Sequence, residues 1–176
     1  MKTWSKIKKR LEGFTCDSLK GRVEFHVANY RRAHDNAGRA YIVVDKKEVM
    51  NMCTLRRNVS VYEKEKQMLK DYNVGVEPYD FDSYSPELMS LHYKNYSKVE
   101  KEGILSQDDF FEAVEIFLAS FIEESLKSEN IIIKILSVID RRVGKRTLVN
   151  MRSSIINEHE AIQYFYKLRC DSEKID

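Results

Sequence analysis

The chain has 176 residues, 43% of them hydrophobic, and a formal net charge of +2. That apolar share, near the globular average of about 45–50%, excludes wholesale disorder and supplies a core. No apolar run approaches the ~20 residues that cross a bilayer, and no apolar signal core follows the basic start at residues 1–6, so a cytoplasmic protein is expected.

Only 2 Pro and 6 Gly interrupt the chain, which favours long helices. Trp4, Ile7 and Leu11 fall at i, i+3, i+7 and predict a short helix over 4–12, ended by Gly13. Residues 22–30 alternate, with Val23, Phe25 and Val27 on one side and Arg22, Glu24, His26 and Ala28 on the other, as in a strand with one buried face. A polar connection, Arg31 to Gly38, leads to a β-branched and aromatic strand over 39–45. Residues 45–48 read as a turn without the Gly that a tight primed hairpin prefers, and Val49, Met50 and Met52 continue as a third strand. Together these predict a three-stranded antiparallel meander.

After Thr54 the period becomes helical. Leu55, Val59, Tyr62, Lys66 and Leu69 lie near one face and predict a helix over 55–72. Residues 73–84 read as a loop. Ser85-Pro86 is an N-cap followed by Pro at N1, opening a helix near 86–100. Ser106 with Asp109 approximates a capping box, and the Phe110-to-Ile122 periodicity extends that helix over 107–127. Further helices are expected over 130–142, with Gly144 as its C′ residue, over 145–154, and over 158–170, capped by Asn157 with Glu160 at N3. Residues 171–176 are expected to fray. The reading is a single α+β domain: a helix and β-meander lobe over 1–54, then a helical lobe over 55–170 with a HEAT-like helix–turn–helix rhythm.

Charge is segmented. Residues 1–60 carry 14 Lys/Arg against 6 Asp/Glu, a net +8, while residues 77–129 carry 4 Lys against 13 acids, a net −9. Either the two segments dock on each other or the basic one meets an external polyanion. The three cysteines, Cys16, Cys53 and Cys170, share neither zinc-finger nor CxxC spacing and read as free thiols.

Four constellations can carry chemistry. In Tyr30-Arg31-Arg32-Ala33-His34-Asp35, a His and an Asp flanked by arginines can hold phosphate or place a general base; the plainer reading is a solvated polar turn. Arg22, His26, Arg39 and Tyr41, with Tyr30 nearby, share a strand face that can stack bases and neutralise phosphates, or simply pair with carboxylates. Asp140 to Arg146 lacks the P-loop frame and reads as a helix junction. The acids Asp80, Asp82, Asp108, Asp109, Glu112, Glu115, Glu123 and Glu124 lack the Glu-x-x-His partner of bundle metal sites and read as solvated faces and caps.

Two stretches also resemble a known family. One runs Leu19-Lys20-Gly21-Arg22-Val23, Tyr30 to Asp35, Gly38-Arg39-Ala40-Tyr41-Ile42 and Val44-Asp45; the other joins Ser128-Glu129-Asn130 to Asp140-Arg141-Arg142-Val143-Gly144-Lys145-Arg146. They are similar to an uncharacterised family of small bacterial cytosolic proteins named after an enterobacterial locus. The family pattern has Gly after the Asp at 45, where this chain has Lys46. The resemblance implies a bacterial source and an intact single protein, and brings no activity, cofactor or catalytic residue.

The function expected from these residues is binding, by a regulatory or interaction protein with a macromolecular partner, either another protein or a second copy. Nucleic-acid binding on the basic sheet face and an enzyme acting on an anionic substrate stand as alternatives. The candidate binding residues are Arg22, His26, Tyr30, Arg31, His34, Asp35 and Arg39. No catalytic residue, metal or cofactor is assigned, and no membrane partner is expected.

Overall fold

The computed structural model describes residues 3–30 and 37–175. Helix α1 (Trp4–Phe14) buries Ile7 and Leu11, as their spacing requires. It runs past Gly13 and ends where the Thr15 N–H closes on the Leu11 carbonyl at 3.1 Å.

Three strands follow: β1 (Val23–Asn29), β2 (Gly38–Val44) and β3 (Lys47–Cys53), antiparallel in the order β1-β2-β3. The register puts His26 opposite Tyr41 and Tyr41 opposite Asn51. One face of the sheet, with Phe25, Ala40, Ile42, Val44, Met50 and Met52, is buried against α1 and the helical lobe. The register shifts between Ile42 and Val43, leaving Val49 as the extra residue of a β-bulge.

The β2–β3 loop is two residues long. Asp45 and Lys46 have φ of 48° and 68°, and a type I′ hairpin needs positive φ at both central positions. The chain therefore makes a tight primed turn without glycine. Gly38, at the start of β2, is required by close approach instead: a Cβ there would lie 2.4 Å from Gln107 Oε1 and 2.7 Å from the Ala28 carbonyl.

The helical lobe comprises α2 (Thr54–Asp71), α3 (Pro86–Lys101), α4 (Gln107–Ala119), α5 (Ile122–Ser125), α6 (Ile131–Val138), α7 (Lys145–Ile155) and α8 (Glu160–Glu173). Ser85 caps α3 with Pro86 at N1, and Ser106 with Asp109 forms a full capping box on α4. The helix expected over 107–127 is broken at Ser120 and Phe121, whose ψ angles of 156° and 150° are extended. Ser120 Oγ bonds back to the Ile116 carbonyl at 2.8 Å, competing with helix continuation there.

Helix α6 stops at Val138, earlier than expected, because the chain turns on the buried Asp140. Gly144, with φ −80° and ψ 162°, is the N-cap residue of α7 and not a left-handed C′ residue. Helix α8 is capped by His159, whose Nδ1 accepts the Ala161 N–H at 3.1 Å, and not by Asn157. Its last residue is Glu173, past the expected end. The core joins the sheet's buried face to Phe110, Phe117, Ile132, Ile135 and Phe165, with α6 packed between α4 and α8.

Candidate functional site

Alternation sends Glu24, His26, Arg39, Tyr41, Asn51 and Cys53 to the other side of the sheet, where all are partly exposed. His26 stacks on Tyr41 with centroids 5.0 Å apart, and the Arg39 guanidinium lies 4.4 Å from the same ring. The arginine charges there are already matched. Arg39 Nη1 donates to both Glu48 oxygens at 3.0 Å, and His26 Nε2 lies 3.3 Å from Glu24. Arg22 grips Asp45 through Nε at 2.9 Å and Nη2 at 2.8 Å, which holds the Asp45 carboxyl below its usual range.

Tyr30 reaches the Cys53 sulfur at 3.6 Å. Burial raises the Cys53 thiol, but the N–H groups of Arg56 and Leu55 at the start of α2, with the Tyr30 hydroxyl, outweigh it and hold the thiol below its ordinary value. Arg22, His26, Tyr30 and Arg39 are thus all placed on β1, its flanks or β2. Arg31, His34 and Asp35 lie outside the described residues.

Helix α2 is turned away from the orientation its apolar pattern predicts. Of the stripe expected to point inward, Leu69 is buried, but Leu55, Val59 and Tyr62 are 48%, 56% and 37% exposed. The buried face is Arg57, Val61, Glu65 and Met68, with Arg57 at 3% and Glu65 at 0%. Two polar networks hold this orientation. The Arg57 guanidinium lies 3.0 Å from Asp109 and 3.3 Å from Glu100, and packs 3.7 Å from the Tyr96 ring. Because Asp109 also accepts the Ser106 N–H at 2.7 Å, one carboxylate serves both the cap of α4 and the anchor of α2.

The second network centres on Glu65 Oε1, which accepts the Tyr84 hydroxyl and lies 3.1 Å from His92 Nδ1. Burial first, and then the Glu65 bond and charge, push the Tyr84 phenol up. His92 is ringed by Tyr79, Phe81, Tyr93 and Tyr96, all exposed on their outer sides. Tyr79 lies 6.1 Å from Tyr62 and bonds the Asn58 carbonyl, so an apolar and aromatic face runs without a break from α2 onto the loop before α3.

This face was hidden in the sequence by its polar underside. Arg57, Val61, Glu65 and Met68 stand at i, i+4, i+8, i+11, a proper helical face, but charges at two of the four positions make it read as the wet one.

The junction at 140–146 is structural. Asp140 accepts the Arg142 N–H at 2.7 Å and pairs with its side chain, whose guanidinium lies 4.2 Å from the Phe14 ring. The buried Arg169 donates to the carbonyls of Ile139, Asp140 and Val143 at the end of α6. The acids Asp109 and Glu112 line a cleft of about 480 Å³ with Glu100, Glu129, Glu158 and His159. Among the described residues, no three His, Cys, Asp or Glu side chains are set to hold a metal ion.

A three-stranded antiparallel sheet near the N-terminus followed by a mainly helical part defines an α+β protein. Residues 3–170 match the model of the SF0329 protein family, and the chain belongs to that family. No curated protein and no solved structure matches it. No helix among the described residues is long and apolar enough to cross a membrane.

Proposed function

We propose that this is a binding protein that docks a protein partner on the face of α2. One observation carries the reading: α2 buries Arg57 and Glu65 and leaves Leu55, Val59 and Tyr62 in water. Burying charges is costly unless they are paired, and exposing an apolar stripe forgoes about 25 cal/mol for each Å² left wet. A chain that does both on one helix keeps that stripe for something outside itself. Tyr79 and Phe81 extend the same surface, and aromatic side chains are the usual anchors of protein interfaces.

The sheet face has less in its favour as a polyanion site. Arg22 and Arg39 each already hold a carboxylate from their own lobe, so a phosphate would have to displace it. The cationic and anionic segments meet elsewhere, through Arg57, Glu100 and Asp109.

A photoreactive residue placed at Val59 or Tyr62, in the protein made in its source cells, tests the reading. One discrete adduct from these positions, and none from Val149, an exposed apolar position on α7, is expected. No adduct at Val59, or the same smear of adducts from all three positions, would overturn it.

A further inference from the structure

We infer that the partner of this face is a second copy of the chain, packed α2 against α2 in antiparallel fashion about a two-fold axis. The inference rests on the reading that the stripe is a docking face and names what docks there.

The argument is one of charge complementarity. Looking down α2 at 100° per residue, Leu55, Val59, Tyr62 and Lys66 fall within about 60° of one another. One edge of this seam is walled by the loop, through Tyr79 on Tyr62 and on the Asn58 carbonyl. The other edge is open and carries Arg56 and Glu63, both exposed. Neither forms a salt bridge with any described residue.

Arg56 and Glu63 are seven residues apart, two turns along one side of the helix, and opposite in sign. Laid antiparallel about a point between Val59 and Ser60, each copy's Arg56 meets the other's Glu63, so both pairs form at once. An isologous interface needs this self-complementarity. A parallel two-fold would instead set each copy's Arg56 and Glu63 against the loop-walled edge of the other, and neither pair would form. The seam itself would then pack Val59 near the axis with Leu55 and Tyr62 to either side, as apolar residues do between charged flanks in antiparallel helix pairs.

The size of the face sets the strength. An 18-residue helix is about 27 Å long, and a seam about 10 Å wide covers about 270 Å². Stable interfaces bury about 800 Å² on each partner, so even with Tyr79 and Phe81 added the association is weak, with a dissociation constant on the order of 10–100 µM.

Sedimentation velocity over a concentration series of about 2–400 µM tests this. The full chain is expected to move from monomer to dimer over that range. Arg56→Glu and Glu63→Arg each place like charges across the axis and are expected to weaken the dimer at least tenfold, while the double variant Arg56→Glu/Glu63→Arg restores it. Both sites are on the surface, so melting temperatures check that folding is kept. Single variants that weaken association without rescue by the double would overturn the antiparallel geometry. A chain that stays monomeric at 400 µM would overturn the inference. If such a chain still gives a discrete adduct of another mass from Val59, the docking face stands with a different occupant; if it gives none, both fail.

Discussion

Replacing Lys46 by glycine is expected to stabilise the protein. The β2–β3 turn holds Asp45 and Lys46 at φ of 48° and 68°, where a Cβ crowds the following carbonyl. That crowding costs roughly 1–2 kcal/mol per residue, less for Asp, whose short polar side chain suits the region. Removing the Cβ at 46 recovers that amount. Against it stands the extra freedom of glycine in the unfolded chain, about 0.4–1 kcal/mol. The net gain is about 0.5–1 kcal/mol, or about 1–4 °C in melting temperature for a chain of this length. Lys46 is exposed and makes no salt bridge among the described residues, so nothing else is lost. Urea unfolding of the parent, Lys46→Gly and Lys46→Ala separates backbone from side chain: the Ala variant keeps the Cβ and should match the parent. A Gly variant no more stable than the parent, or an Ala variant that gains as much, would refute the strain assigned to this turn. Asp45→Gly should gain less, since it also releases Arg22.

Gly38→Ala is expected to destabilise by about 1–3 kcal/mol, because the new methyl meets both Gln107 and a backbone carbonyl; a stability equal to the parent would show that the start of α4 can retreat. Arg57→Ala strips a buried cation from Asp109 and Glu100 and should cost about 3 kcal/mol in urea unfolding, with a loss under 1 kcal/mol counting against the anchor assigned to it. Cys53 should react first with a small alkylating agent, ahead of the buried Cys16 and Cys170, with half-maximal rate below the pH of a free thiol, and Tyr30→Phe should move that midpoint up. Peptide mapping of the first modified cysteine decides it. Asp17 and Asp45 are both held below their ordinary value of 3.8, chiefly by bonds from Lys20 and Arg22. Their contribution is therefore present above the ordinary carboxylate range and lost as pH falls through the lowered values. Both are exposed, so the acid-side loss attributable to them should shrink in 1 M salt; a loss that does not shrink would place its source in buried groups.

Where backbone periodicity and capping chemistry agree, the sequence is transparent. The meander, the Ser85-Pro86 start and the Ser106–Asp109 capping box need only local rules, and all three are where those rules put them. Boundaries that depend on distant partners are not. The end of α6 is set by Asp140 bonding forward to Arg142 and by Arg169, thirty residues on from Ile139, covering the last carbonyls. The start of α8 passes from Asn157 to His159, whose ring packs over Gly103. The α2 face could not be read from hydrophobicity at all, since its orientation is decided by carboxylates and phenols from residues 79–109 that reach Arg57 and Glu65. The charge segments are legible as composition but not as contacts: the sheet arginines find acids close by on the sheet, and among the described residues Arg57 is the one cation of residues 1–60 that pairs with an acid of residues 77–129.

The facing of α2 can be measured by thiol labelling of Val59→Cys and Val61→Cys in a Cys53→Ser background at sub-micromolar protein, where any dimer is dissociated. The account predicts that position 59 labels close to the rate of an unstructured thiol and that position 61 is slower by at least about a hundredfold. Equal rates, or protection at 59 with labelling at 61, would mean that the apolar stripe is core and that no docking face exists there.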